Sequence, residues 1–216
     1  QDDFTDVLPG IEFTVNDPSG SGGRQPVTLQ TPIDDVRIFV GASSSPFGIN
    51  DDALARGGPG GFDAQGDIFR ARISNDFRGQ GPVTDFEPFA GAMSFDPTVN
   101  WGFDVDDPTP GATDFVSVAA HEIGHVLGIG GTSGIFQERG AGQSFDGPNA
   151  RAVNNGQPIP LEADLVHITE GFANNSTLMD PVAGPTGTRI TPSDFDLALL
   201  ADIGFQVDGF DAQGST

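Results

Sequence analysis

Apolar and polar residues alternate along Ile11-Glu12-Phe13-Thr14-Val15, the period of a strand that buries one face. Val36-Arg37-Ile38-Phe39-Val40 is apolar and β-branched enough to predict a central strand. From Thr113 the pattern becomes helical. Thr113 is placed as an N-cap and Asp114 in the first turn, apolar residues follow on most sides, and Gly128 is a natural stop, so the spacing predicts a buried helix. A second helix is expected after Thr191-Pro192-Ser193-Asp194, with proline at its first turn and apolar residues over 195–203 ending at Gly204. Before Thr113 no helical period is sustained, and the best candidate, residues 49–56, is short. Residues 132–166 are rich in Gly, Asn, Pro and Gln with little periodicity and read as a surface insertion. A mixed α+β fold follows.

The 216 residues allow one domain with a substantial core, and no apolar run is long enough to span a membrane. The formal net charge is -22, from 31 acidic against 9 basic residues, all of them Arg. Such a field argues against nucleic acid and anionic membranes as partners, and the absence of lysine points to a salty or calcium-containing medium. No secretory signal stands at Gln1, so the chain is expected to be the mature or trimmed form of an exported, extracellular protein, and a monomer. With no cysteine, disulfides, a thiolate zinc site and a cysteine latch within the chain are excluded. Aspartates gather at Asp51-Asp52, at Asp63 with Asp67, and at Asp104 with Asp106 and Asp107. These hard oxygen donors make structural Ca2+ an expected cofactor; the plainer reading is a solvated acidic surface, since none has the EF-hand spacing. The string Phe-Asp-Ala-Gln-Gly occurs at 62–66 and 210–214 and reads as a shared turn or coincidence.

Chemistry concentrates in the three histidines. His121-Glu122-Ile123-Gly124-His125 puts two of them four residues apart, on one face of a helix, where both rings can reach one metal ion. The motif predicts a zinc site, with Glu122 placed to act as general base on a water. A catalytic zinc takes three protein ligands and keeps one position open. The third donor is expected at His167, the remaining imidazole, with Glu138, Glu162 and Glu170 as rivals.

The run His121-Glu122-x-x-His125-x-x-Gly128 resembles the zinc-binding consensus of the metzincin metallopeptidases. The usual third position falls on Gly131, which has no donor, and Gly130, Thr132 and Ser133 are poor substitutes. His167 beyond an insertion is similar to the leishmanolysin-like branch, and a longer loop adds only about 0.6 kcal/mol per doubling of its length. Ser176-Thr177-Leu178-Met179-Asp180-Pro181 resembles the Met-turn, whose methionine lies beneath the ligands. Ala90-Gly91-Ala92-Met93-Ser94-Phe95-Asp96, with Trp101, is similar to the matrixin strand at the cleft's upper rim, and an edge strand there would pair with an extended peptide. Gly57-Gly58-Pro59-Gly60-Gly61 resembles the matrixin glycine-rich loop. Ser94 stands where matrixins place a histidine, leaving that structural zinc short of a ligand. The long helix that opens metzincin domains is missing from the pattern: either it lay upstream of Gln1 and was lost in processing, or the N-terminal half is built differently.

The resemblance implies a metzincin-like fold with a mixed twisted sheet, an active-site helix, a Met-turn and a C-terminal helix. It divides one catalytic domain into an N-terminal subdomain, 1–128, and a C-terminal subdomain, 129–216. It implies a zinc endopeptidase acting on protein or peptide substrates, with zinc held by His121, His125 and His167 and Glu122 as base. With no tyrosine in the chain, zinc and backbone groups alone would stabilise the oxyanion. Arg189, the one charge in 181–190, either enters the specificity pocket or pairs with a surface carboxylate. Two other functions fit the motif: a non-catalytic, calcium-stabilised surface or adhesion module with structural zinc, and a zinc hydrolase of non-peptide amides.

Overall fold

The computed structural model describes residues 11–27, 36–64, 90–130, 134–140 and 142–210. The expectations for Gly131, Thr132, Ser133 and Asp67, and for the two pentapeptides as whole strings, lie outside those residues. The fold is mixed α+β, with several small sheets and a few helices, compatible with a metzincin-like architecture. The chain divides into two compact units, Gln1–Thr98 with His125–Leu127, and Val99–Gly124 with Gly128–Thr216.

Among the described residues the first unit holds two three-stranded sheets. In one, β1 (Ile11–Asn16) lies between β2 (Arg24–Val27) and β5 (Gly61–Ala64), antiparallel to both. The predicted alternation holds, since Phe13 and Val15 are buried. In the other, β6 (Ala90–Phe95) lies between β3 (Arg37–Ala42), parallel to it, and β4 (Ala55–Pro59), antiparallel. Phe13, Val15, Ala90 and Ala92 form one core cluster, with Val27, Phe39 and Phe47 packed against it.

Three expectations are corrected here. The strand predicted to be central, β3, is outermost among the described strands, and β6 takes the centre. Four of its residues, Ala90, Gly91, Ala92 and Ser94, are small enough for neighbours to approach closely, and all six are buried. With ladders on both sides, β6 is not the free edge that strand addition to a peptide needs; the outer described strands are β3 and β4. Residues 49–56, the short best candidate for a helix before Thr113, are not helical, in keeping with the lack of a sustained period there: Asp51 Oδ1 accepts the Ala53 N–H at 3.1 Å, a turn that competes with helix, and β4 begins at Ala55. Among the described residues no α-helix precedes Phe115. The glycine run is strand rather than loop, with Gly60 as the step from β4 to β5 and its N–H donated to the Ala90 carbonyl at 2.5 Å.

In the second unit β7 (Trp101–Gly102) pairs in parallel with β8 (Thr113–Asp114) and leads into α1 (Phe115–Val126), whose last turn is grouped with the first unit. The segment expected as a surface insertion is built around a core of its own. It contains α2 (Gly134–Arg139), β9 (Ser144–Phe145), α3 (Pro148–Val153) and β10 (Ile159–Pro160), with Phe136, Phe145, Ala150, Ile159, Leu161 and Ile168 buried. Single apolar anchors separated by polar turns leave no period to read. The last helix, α4 (Asp194–Asp202), reaches this insertion: Asp202 accepts from Asn149 N at 3.0 Å, Ala150 N at 2.8 Å and Asn149 Nδ2 at 2.9 Å, capping α3. Gly147 holds the N-cap position because a Cβ there would overlap the Asp202 carboxylate. No helix among the described residues is long and apolar enough to cross a membrane.

Gly91 of β6 tests this packing. An added Cβ would lie 2.5 Å from Val126 Cγ1 and 2.9 Å from the Gly58 carbonyl oxygen, and neither a β-branched side chain nor backbone yields easily. Gly91→Ala should therefore destabilise by about 1–3 kcal/mol, in spite of the unfolded-state gain that Ala otherwise brings. Urea unfolding measures it, and equal or higher stability would show that the two segments are not in tight contact.

Candidate metal centre

The helix that carries two of the histidines is fixed at both ends. Its N-cap is Asp114, one residue later than the Thr113 expected: Oδ2 accepts from Ser117 N at 3.0 Å and Ser117 Oγ at 2.6 Å. The difference follows from β8, which keeps Thr113 and Asp114 extended. Arg189 grips the same carboxylate, Nε to Oδ2 at 3.0 Å and Nη2 to Oδ1 at 2.9 Å, and donates to the carbonyls of Val105 at 2.5 Å and Asp104 at 2.6 Å. This guanidinium and the Ser117 hydrogen bonds outweigh burial and hold the Asp114 carboxyl at about 2. Of the two roles open to Arg189, the structure has the ion pair, but with the buried carboxylate of Asp114 and not a surface one. Phe115 adds an edge contact to Trp101 at 5.6 Å and a tilted one to Phe103 at 4.9 Å. At the other end Gly128 has φ +102°, and the Ile129 N–H reaches the Gly124 carbonyl at 3.0 Å, the six-to-one bond of a Schellman motif.

One ligand atom from each of His121, His125 and His167 lies within 4.8 Å of the others, a spacing three donors need to share a metal ion. It is the one group of three or more acidic or imidazole side chains that converges among the described residues. Glu138, Glu162 and Glu170 are outside it, and Glu162 Oε1 accepts the Glu170 N–H at 2.8 Å. His121 and His167 stack with centroids 5.3 Å apart and planes 21° from parallel. His121 Nδ1 lies 2.7 Å from the Leu178 carbonyl, which can only accept, so Nδ1 carries the proton and Nε2 the lone pair. Burial, with His167 beside it, pushes the His121 pKa down to about 4, so the ring is neutral and able to ligate at pH 7. His167 Nδ1 is 3.2 Å from Asp164 Oδ2. His125 and Glu122 are buried, at 8% and 5% exposure. An all-imidazole set of donors suits zinc.

Beneath these rings lies the turn at Leu178-Met179. Met179 is fully buried, and a Cβ on Gly124 would meet its Sδ at 2.6 Å. Glycine inside a helix costs about 1 kcal/mol relative to alanine, and its use in the middle of α1 is explained by this approach. The turn is held by Asp196 in α4: its carboxylate accepts from Leu178 N at 2.9 Å, Met179 N at 2.9 Å and Ser193 N at 2.7 Å, while Ser193 caps α4 in a capping box. Pro192 therefore precedes the N-cap rather than occupying the first turn. The Met179 carbonyl accepts from Ile168 N at 2.9 Å, next to His167. Asp196, Asp164 and Gly124 escape sequence reading; only the Ser193-x-x-Asp196 spacing signals a cap, and nothing in it signals the bonds to the turn.

Residues 71–134 match the family model for the matrixins, peptidase family M10, under a third of the chain but including the two-histidine helix. The match supports a metzincin-type family, and with the three-histidine group it points to a zinc metallopeptidase. No curated protein and no solved structure matches the chain.

The Met179–Gly124 contact can be measured as a coupling. Met179→Ala should cost about 2–5 kcal/mol through the cavity it leaves. Gly124→Ala should destabilise the wild type yet be tolerated, or stabilising, beside Met179→Ala, because the clash is gone and the helix gains. A double-mutant cycle by chemical denaturation reads the coupling, expected at about 0.5–3 kcal/mol; additive effects would mean the two residues do not touch.

Proposed function

We propose that the chain is a secreted zinc endopeptidase in which His121, His125 and His167 hold the metal and Glu122 is the general base. The observation that carries this reading is the convergence of the three imidazoles around a helix whose intervening residue, Glu122, is a buried carboxylate, within a segment that resembles matrixins. The wide spacing from His125 to His167 is that of a leishmanolysin-like third ligand. When bound, zinc supplies the Lewis acidity that lowers a water's pKa from about 15.7 to about 7 and stabilises charge on the substrate carbonyl oxygen. The protein's own residues do the rest. Glu122 accepts the proton of the attacking water on its carboxylate and returns it to the leaving amine. His121, fixed through Nδ1, keeps its Nε2 lone pair aimed, and its lowered pKa keeps protons from competing for that nitrogen near neutral pH.

Glu122→Gln should keep zinc and lose cleavage of casein or a peptide library by about 10²–10⁴-fold or more. His167→Ala should lose zinc itself. Near wild-type turnover in zinc-loaded Glu122→Gln would remove Glu122 as the base, whereas no peptide cleavage by the zinc-loaded wild type would favour the non-catalytic module or the non-peptide amidase. Unchanged zinc affinity in His167→Ala would send the search back to the glutamates.

Calcium belongs to the same proposal as a structural ion that offsets self-repulsion of the acidic chain. A ligand of the folded state alone raises stability by about 2.7 kcal/mol at a hundredfold excess over Kd. Tm should rise with CaCl2 at fixed ionic strength; an equal rise with NaCl would identify screening instead.

A further inference from the structure

We propose that Asp164 is a positioning residue for the third metal donor, its carboxylate fixing the His167 ring with Nδ1 protonated so that Nε2 is the atom presented to the metal. This rests on the reading of His121, His125 and His167 as the zinc ligands.

The loop that offers His167 is tightly closed. Leu161 and Ile168 bridge its base, Glu162 N donates to the His167 carbonyl at 2.9 Å, and Leu165 N donates to the Glu162 carbonyl at 2.9 Å. Leu165 takes φ +58°, a left-handed conformation that costs a branched side chain of order 1–3 kcal/mol and persists only where its surroundings impose it. Asp164 supplies part of that constraint, and its two oxygens have separate tasks. Oδ1 accepts the Val166 N–H at 2.9 Å, forming a turn, and Oδ2 faces His167 Nδ1 at 3.2 Å. His121 Nδ1 faces a backbone carbonyl that no substitution removes, whereas His167 Nδ1 faces a side chain. A carboxylate partner also raises the basicity of the ligating nitrogen, which a carbonyl does more weakly.

The two tasks can be separated, because only a carboxylate accepts at both oxygens. In Asp164→Asn, one amide oxygen can keep the Val166 turn while the NH2 group confronts the Nδ1–H, donor against donor. Apo protein prepared by chelation should then show unchanged far-UV circular dichroism and melting temperature but bind zinc about 10–100-fold more weakly in competition with a chromophoric chelator. Asp164→Ser, which can also keep the turn, should fall in the same range. The cobalt(II)-loaded Asn variant should show a changed d–d spectrum. Zinc affinity within twofold of wild type in Asp164→Asn overturns the proposal, as does a loss confined to variants whose apo form is equally destabilised. His167→Ala serves as the reference. If it leaves zinc affinity unchanged, the zinc reading itself has failed; if it abolishes binding while Asp164→Asn does not weaken it, Asp164 alone is excluded.

Discussion

One buried carboxylate sets the geometry on which the candidate site depends. Asp196 is 2% exposed and receives the N–H groups of Leu178, Met179 and Ser193 together with the Ser193 hydroxyl. Three of these donors meet Oδ2 and the Met179 amide meets Oδ1, so both oxygens are engaged and the two peptides of the turn are held in place. With the amides facing Asp196, the Leu178 carbonyl points to His121 Nδ1 and the Met179 carbonyl accepts from Ile168. One residue before Ile168 stands His167. Two of the three imidazoles are thus referenced to a single turn, and that turn to the N-terminus of α4. Removing the carboxylate would orphan two buried amides, at about 1–3 kcal/mol each, and release the orientation of His121 in the same step.

Rigidity here is reached through unfavourable local choices. Gly124 weakens α1 so that Met179 can lie against it, and the connection from His167 to the turn carries Ala173, Asn174 and Asn175 at φ between 51° and 60°. Left-handed non-glycine residues in succession are costly, and asparagine is among the side chains that tolerate the conformation best. Such strain is held only by surroundings that overdetermine it, which the bonds of Asp196, Ile168 and Asp164 do. A soft thioether is suited to this position because it fills an irregular gap without imposing directions of its own.

The elements that sequence makes legible are those written in a local code. The two-histidine helix, its glycine stop, the alternating strand at Phe13 and Val15 and the capped helix after Ser193 all follow from neighbours within a few residues. His167 is legible as the remaining imidazole, but sequence leaves Glu138, Glu162 and Glu170 beside it as rivals. What fails is non-local. Whether Ala90–Phe95 is inner or outer depends on what pairs with it, and a run of small residues suits either until two ladders are seen. The insertion hides its core because each buried aromatic stands alone in polar sequence, Phe136 meeting Phe145 at 4.8 Å only after the chain has folded back. Arg189 stays open in sequence between pocket and ion pair because Asp114 is remote along the chain.

The acidic composition follows a local logic as well. Of the 31 acids 25 are aspartate, and among the described residues six of these accept the N–H two residues ahead: Asp17 from Ser19, Asp51 from Ala53, Asp96 from Thr98, Asp104 from Asp106, Asp164 from Val166 and Asp180 from Val182. The short side chain of aspartate closes this turn over its own backbone, and glutamate, one methylene longer, does so less well. Asp114, Asp196 and Asp202 apply the same acceptor to helix starts, Asp202 from a neighbouring segment. A chain rich in glycine-punctuated turns therefore accumulates aspartate for backbone reasons before any ion is considered. This separates the charge from the clusters seen in sequence: Asp51 is already engaged in a turn and an ion pair with Arg56, and Asp104 with the amides of Asp106 and Asp107. Calcium at such a loop would have to share carboxylates that the backbone already occupies, so cation dependence, where it exists, is a property of the summed field as much as of any one cluster.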